Sequence, residues 1–174
     1  IFEKLISIEK NNKGNTIKLI LDADALNLLS ENREFFEKIR NRSILTPHLV
    51  EFSRLTGFST DEINKNRFEI TKNFAKKYEI ILLLKGKNTI ITNGKELFAN
   101  STGNSHMANG GMGDCLTGII CSLVGQKYDL MKSAGIGAYL HGKIADELVK
   151  KQYIVNASHI IENISECILN IFQN

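Results

Sequence analysis

The stretch Asn100–Gly118, NSTGNSHMANGGMGDCLTG, constrains this chain more than any other. It gathers Gly103, Gly110, Gly111, Gly113 and Gly118, with one carboxylate, Asp114, closing the densest part. Apolar residues then recur at helical spacing as Cys115, Leu116, Ile119, Ile120 and Leu123. A glycine-rich loop therefore runs into a helix N-terminus, where free N–H groups and the positive end of the helix dipole favour an anion. Glycine allows positive φ and lets the backbone approach a ligand closely. A carboxylate beside such a nest can activate a hydroxyl next to a phosphate. The same residues also fit an ordinary glycine-rich turn with Asp114 as helix cap. No Gly-Lys-Ser/Thr follows, so this is not a Walker A loop.

The remaining pattern alternates strand and helix. Ile17–Leu21 is a short apolar run of the kind that forms a parallel strand covered on both faces, and it ends at Asp22-Ala23-Asp24. Polar groups just past a strand's carboxyl end are where open α/β sheets bind ligands. Asp22 also fits a plain turn, and Asp24 reads as an N-cap. Glu34–Ile39 reads as a short helix and Ser43–Leu45 as a strand. Thr46 then reads as N-cap, Pro47 as first helical residue and His48 as part of the first turn of a helix ending at Gly57. Asp61–Tyr78 reads as one helix with Ile63, Phe68, Ile70 (or Thr71) and Phe74 inward. Ile80–Leu84 is the clearest buried strand, leading into Lys85-Gly86-Lys87-Asn88-Thr89. Asn93-Gly94 predicts a hairpin of Thr89–Thr92 and Leu97–Asn100. Three helices follow, over Asp114–Val124, Leu130–Lys151 and from Asn156–Ser158 to Phe172. The second carries small residues for close packing and a core histidine, His141, expected to be hydrogen-bonded. The sum is an α/β domain with a mainly parallel sheet and flanking helices. Its strand ends should line one edge together with the glycine loop.

Composition excludes several classes. A net charge of +3 with scattered lysines gives no basic patch for nucleic acid. The longest apolar run, Ile80–Leu84, is far too short to span a membrane. Cys115, Cys121 and Cys167 show no CxxC spacing, which suggests a reducing cytoplasmic setting and no metal cluster. The chain opens at Ile1 already in a helical pattern over Ile1–Glu9, broken at Gly14, as expected for one piece of a longer protein.

Four segments in this order, LDADALNLL (21–29), LTPHLVEFSRLTG (45–57), LKGKNTIIT (84–92) and NSTGNSHMANGGMGDCLTGI (100–119), closely resemble the ADP- or ATP-dependent NAD(P)H-hydrate dehydratases. YLHG (139–142) matches as well. The resemblance covers nearly the whole chain, so residues 1–174 read as one partial domain. It implies a ribokinase-like fold with the N-terminal strands missing. It also implies a reaction, nucleotide-driven dehydration of hydrated NADH or NADPH. On this resemblance Asp114 is the general base and also touches the substrate. His48, Leu49, Val50, Glu51, Phe52, Ser53 and Arg54 line the hydrated-cofactor side. Lys85, Gly86, Lys87, Asn88 and Thr89, with Asn104, Met107, Ala108, Asn109, Gly110, Gly111, Met112 and Gly113, hold the nucleotide. Mg²⁺ arrives with the phosphates. The resemblance further implies a homo-oligomer that is linked to, or works with, an NAD(P)H-hydrate epimerase. Val50 stands where bacterial relatives usually have Gly, and Ser105-His106 replaces the common Pro-Gly. Two other readings stay open at this point: a small-molecule kinase of the same fold, of hydroxyethylthiazole-kinase type, and a nucleotide-binding fragment without turnover.

Overall fold

The computed structural model describes residues 16–173, and the helix and break read over Ile1–Glu9 and Gly14 lie outside them. Chain order is β1 (Leu19–Leu21), α1 (Asp24–Glu31), a 3-10 turn (Arg33–Phe35), α2 (Phe36–Ile39), β2 (Ser43–Leu45), α3 (Leu49–Thr56), α4 (Thr60–Lys65), α5 (Arg67–Tyr78) and β3 (Ile81–Leu84). The hairpin β4 (Thr89–Thr92) and β5 (Leu97–Asn100) follows, then a 3-10 turn (Ser105–Met107), α6 (Met112–Gly125), α7 (Leu130–Leu148) and α8 (Ala157–Gln173).

The five strands lie in the sheet in chain order. β1, β2 and β3 are parallel, with Leu21 opposite Leu45 and Leu45 opposite Leu82. β4 and β5 add two antiparallel pairings, so the sheet is mixed. Side chains alternate across it with the period of a strand. Leu45, Leu82, Leu84 and Ile90 face a core built with Leu26, Leu29, Phe36, Phe52, Leu55, Ile63 and Phe74. Ile44, Leu83 and Ile91 face the other way, onto Leu116 and Ile120 of α6 and Ala134 and Ala138 of α7. A third cluster ties α8 to α6 and α7 through Met112, Cys115, Ile144, Ile160 and Cys167. The small residues of α7 do the packing expected of them: a Cβ on Gly137 would fall 2.7 Å from Ile120 Cγ1.

Three local expectations change. Asp24 does not cap α1; Ala23 occupies the N-cap at φ 50 and Asp24 is the first helical residue. The segment from Asp61 to Tyr78 is two helices, broken at Asn66 (φ −128, ψ 38) after a Ser59–Glu62 capping box starts α4. The break turns Phe68 outward, 56 % exposed, while Thr71 and Phe74 stay buried. Pro47 does not open α3, because the helix begins two residues later. Among the described residues no helix is long and apolar enough to cross a membrane.

Candidate active site

Parallel pairing of β1, β2 and β3 carries Asp22, Thr46-Pro47-His48 and Lys85 to one edge of the sheet. α3 is anchored there by Phe52 and Leu55, both fully buried, a burial worth roughly 3–6 kcal/mol for the pair. Its first turn is therefore fixed. His48, not Thr46, is the N-cap: Nδ1 accepts from the N–H groups of Val50 and Glu51 at 3.2 and 3.3 Å. Glu51 returns the favour, accepting the His48 N–H at 2.7 Å. This is a capping box with an imidazole in place of a hydroxyl. Because Nδ1 accepts, the neutral ring carries its proton on Nε2, which lies 3.2 Å from Glu51 Oε1. Thr46 spends its hydroxyl on the Leu21 carbonyl at 3.2 Å. Both nitrogens of His48 thus serve the helix start, although the side chain is 51 % exposed. His48→Ala should cost about 0.5–2 kcal/mol of stability, the usual cost of a lost cap, and His48→Asn should recover most of it. Denaturant unfolding of both variants checks this; unchanged stability in the Ala variant would free the imidazole for a ligand.

A charge cluster joins the strand ends. Lys85 Nζ lies 2.7 Å from Asp22 Oδ1 and 3.9 Å from Glu51 Oε2. Asp22 Oδ2 also accepts from Thr117 Oγ1 of α6 at 3.3 Å. Gly113, in the first turn of α6, presses on the pair: a Cβ there would stand 3.2 Å from Asp22 Oδ2 and 3.5 Å from Lys85 Nζ. Asp22 and Glu51 are only 12 % and 8 % exposed at their side chains. This is a partly desolvated network rather than a surface pair, and removing one member leaves the others poorly compensated. Asp22 is therefore more than a turn residue. No local signal names its partners, because Lys85 is 63 positions away and Thr117 is 95.

The glycine-rich segment is pinned from outside. Asn104 caps the 3-10 turn by accepting from the His106 N–H at 3.1 Å. Asp146 of α7 accepts from the Gly103 N–H at 2.9 Å and from Asn104 Nδ2 at 2.8 Å. Asn109 Nδ2 bonds the carbonyls of His106 and Val155, both at 2.9 Å. His106 Nδ1 meets the Tyr153 carbonyl at 2.6 Å, and the two rings pack edge to face. Gly111 then opens α6 at φ 82, and no side chain caps the helix. Asp114 sits in the first turn, exposed, so it is not the cap.

Between this segment and the Lys85–Thr89 loop lies a cavity of about 620 Å³, a size typical of small-molecule sites. All of Lys85, Gly86, Lys87, Asn88 and Thr89 line it, with Asn104, Met107, Ala108, Met112 and Gly113 from the glycine side. Asn109, Gly110, Gly111 and Asp114 are not on its wall. Asn100–Gly103 and Ser105, inside the stretch expected to bind an anion but given no individual role, also line it, as do Leu116 of α6 and Ala138 and Gly142 of α7; the small residues of α7 were the available signal. His141 also lines it, buried as expected but only half satisfied. Burial pushes its pKa down to about 4, against a smaller opposing effect of a backbone hydrogen bond to Met112, and its Nε2 is without a partner.

Of the residues expected on the hydrated-cofactor side, only His48 and Glu51 join the charge cluster. Phe52 is fully buried, edge-on to Phe74 at 5.3 Å, and belongs to the core. Leu49 packs on that core, and Ser53 Oγ donates to the Phe58 carbonyl. Arg54 Nη1 donates to Asn27 Oδ1, and Val50 is exposed.

Among the described residues no three His, Cys, Asp or Glu side chains converge to cage a metal. Asp22 and Glu51 are already engaged, Asp22 by Lys85 and Thr117 and Glu51 by the His48 N–H, and neither lies on the cavity wall.

Comparison with known proteins adds the last observations. The family model described as NAD(P)H-hydrate dehydratase matches residues 3–166. A bifunctional NAD(P)H-hydrate repair enzyme from Moorella thermoacetica is 39 % identical over 137 residues, covering 78 % of this chain and 26 % of its own. An ADP/ATP-dependent NAD(P)H-hydrate dehydratase from Bacillus subtilis, co-crystallised with ATP and Mg²⁺, superposes with a TM-score of 0.75 at 30 % identity, covering 87 % of this chain and 54 % of its own. A ribokinase-like superfamily protein from Enterococcus faecalis superposes with a TM-score of 0.81 at 27 % identity, covering 93 % and 56 %. The chain thus spans about a quarter of the bifunctional relative and little over half of the two solved structures.

Proposed function

Because this chain belongs to the NAD(P)H-hydrate dehydratase family, with a ribokinase-like fold, we propose that it uses ADP or ATP to drive dehydration of hydrated NADH or NADPH back to the reduced cofactor. The observation that carries the reading is the cavity where the Lys85–Thr89 loop and the glycine-rich segment meet beside the Asp22–Lys85–Glu51 cluster. Lysine, glycine N–H groups and a helix start on one wall suit phosphates.

Asp114 takes the proton from the ring hydroxyl as general base. The freed oxygen attacks the terminal phosphorus as the bond to the departing nucleotide breaks. Backbone N–H groups of Asn109–Gly113 stabilise the charge on the phosphoryl group in flight. The carbon–oxygen bond then breaks with phosphate as leaving group, the neighbouring carbon gives its proton to that phosphate, and the ring regains its double bond. Mg²⁺ carried in by the nucleotide phosphates would neutralise part of their charge. Residues 1–174 are on this reading one partial domain of a cytoplasmic homo-oligomer that works with an NAD(P)H-hydrate epimerase.

The test is a time course at the reduced-nicotinamide absorbance band, with hydrated NADH and either ADP or ATP. Nucleotide-dependent growth of that band is the expected result. A phosphorylated product that persists without NADH would convert the reading to a kinase. Binding without any turnover would leave a nucleotide-binding module.

A further inference from the structure

The Lys85–Thr89 loop is held from behind by a residue that does not line the cavity. Arg67 is the first residue of α5. Its Nη1 donates to the Lys87 carbonyl at 2.7 Å, and its Nη2 lies 3.2 Å from the Lys85 carbonyl and 3.4 Å from that of Leu84. One guanidinium therefore collects three carbonyls of this segment, those of Leu84, Lys85 and Lys87, while all five loop residues line the cavity. The loop backbone is fitted around this contact. Gly86 sits at φ 141, and a Cβ there would stand 2.9 Å from Arg67 Nη2. Asn88 also holds a positive φ, 55.

Arg67 is costly where it stands. No carboxylate pairs with it among the described residues. Its Nε is buried without a partner, and burial pulls its pKa below the ordinary arginine value. A guanidinium stays charged in a protein even so. Carbonyl dipoles offset part of the desolvation; an anion on the other side of the loop would offset more.

We propose that Arg67 is the positioning residue of a phosphate-binding wall. By holding the carbonyls of Leu84, Lys85 and Lys87, it fixes the opposite edge of the loop against the phosphates of a nucleoside diphosphate or triphosphate. This rests on the reading that the cavity takes a nucleotide. Lysine cannot do the same work, because one ammonium lacks the planar fork that spans several carbonyls.

Calorimetric affinities for adenosine, AMP and ADP should be compared in wild type, Arg67→Met and Arg67→Lys. Wild type should bind more tightly with each phosphate. Arg67→Met should lose about ten- to a hundredfold for ADP, the scale of one charge-assisted hydrogen bond, with adenosine unchanged. Arg67→Lys should behave like Arg67→Met. Full recovery in the Lys variant would overturn the positioning role in favour of charge alone. Equal losses for all three ligands, or unfolding of both variants, would assign Arg67 to the fold and overturn the proposal. A wild-type chain that binds ADP no better than adenosine would overturn the nucleotide reading, and this inference with it. A wild-type phosphate dependence left intact in Arg67→Met would overturn the role of Arg67 alone.

Discussion

Asp114→Asn is expected to lower turnover by about 10²–10⁴-fold, the usual contribution of a positioned general base. Nucleotide affinity should hardly change. The structural basis is that Asp114 has little other employment. It lies exposed in the first turn of α6, off the cavity wall, with no hydrogen bond or ion pair among the described residues. Its interaction with the helix dipole is worth about 0.3–1 kcal/mol. The loss in rate corresponds to about 3–5 kcal/mol of barrier. Chemistry should therefore outweigh any fold effect, and the variant should unfold close to wild type. Turnover and ADP binding measured on the same preparation decide the matter. Wild-type-like turnover would sink the base assignment.

Gly142→Ala is the second large effect, and it acts through packing. A Cβ on Gly142 would fall 2.3 Å from Thr102 Oγ1, 2.6 Å from the Thr102 carbonyl carbon and 2.7 Å from the Gly103 nitrogen. Two of those atoms are backbone and cannot rotate away. α7 is locked by Ala138, Ile144 and Ala145 in two cores, so the loop must yield. Yielding disturbs the bonds from Thr102 Oγ1 to Asn100 Oδ1 and the Tyr139 carbonyl, and from the Gly103 N–H to Asp146. Overpacking costs typically about 1–3 kcal/mol, and each disturbed bond about 0.5–1.5 kcal/mol. The melting temperature should fall by about 2–4 °C per kcal/mol, and ADP affinity should fall because Thr102, Gly103 and Asn104 line the cavity. Gly118→Ala is the control: a Cβ there meets nothing within 4 Å, and replacing a mid-helix glycine is mildly stabilising. If Gly142→Ala behaves like the control, the close approach of α7 to the loop does not matter.

Local signals carried most of the architecture. Ser43–Leu45 and both hairpin strands fall where hydrophobic runs and Asn93-Gly94 put them. The errors came at helix starts and at one helix break. Thr46 and Asp24 are good cap residues by composition. Thr46 lost to His48, whose imidazole reaches two N–H groups, and Asp24 lost to a strained Ala23. Phe68 was misplaced because Asn66 breaks a helix that no proline or glycine marks. At the site, the glycine segment and Lys85–Thr89 are legible as short patterns. The Asp22–Lys85–Glu51 cluster and the Arg67 clamp are not, since they depend on which strand ends the sheet brings together.

The spatial order of the strands has a kinetic consequence. Each strand pairs with the one made just before it, so the sheet can grow by accretion as the chain is delivered, without a distant segment being threaded between strands. The Thr117–Asp22 bond is different, closing a span of 95 positions. Loop closure grows dearer with span, if slowly, and contacts distant in sequence slow folding. Completion of the charge cluster should then be a late event and its rupture an early one, with the first turn of α6 exchanging its amide protons sooner than β2 and β3. A ligand that grips both Lys85 and the glycine segment would act as a clasp on the part of the molecule that assembles last.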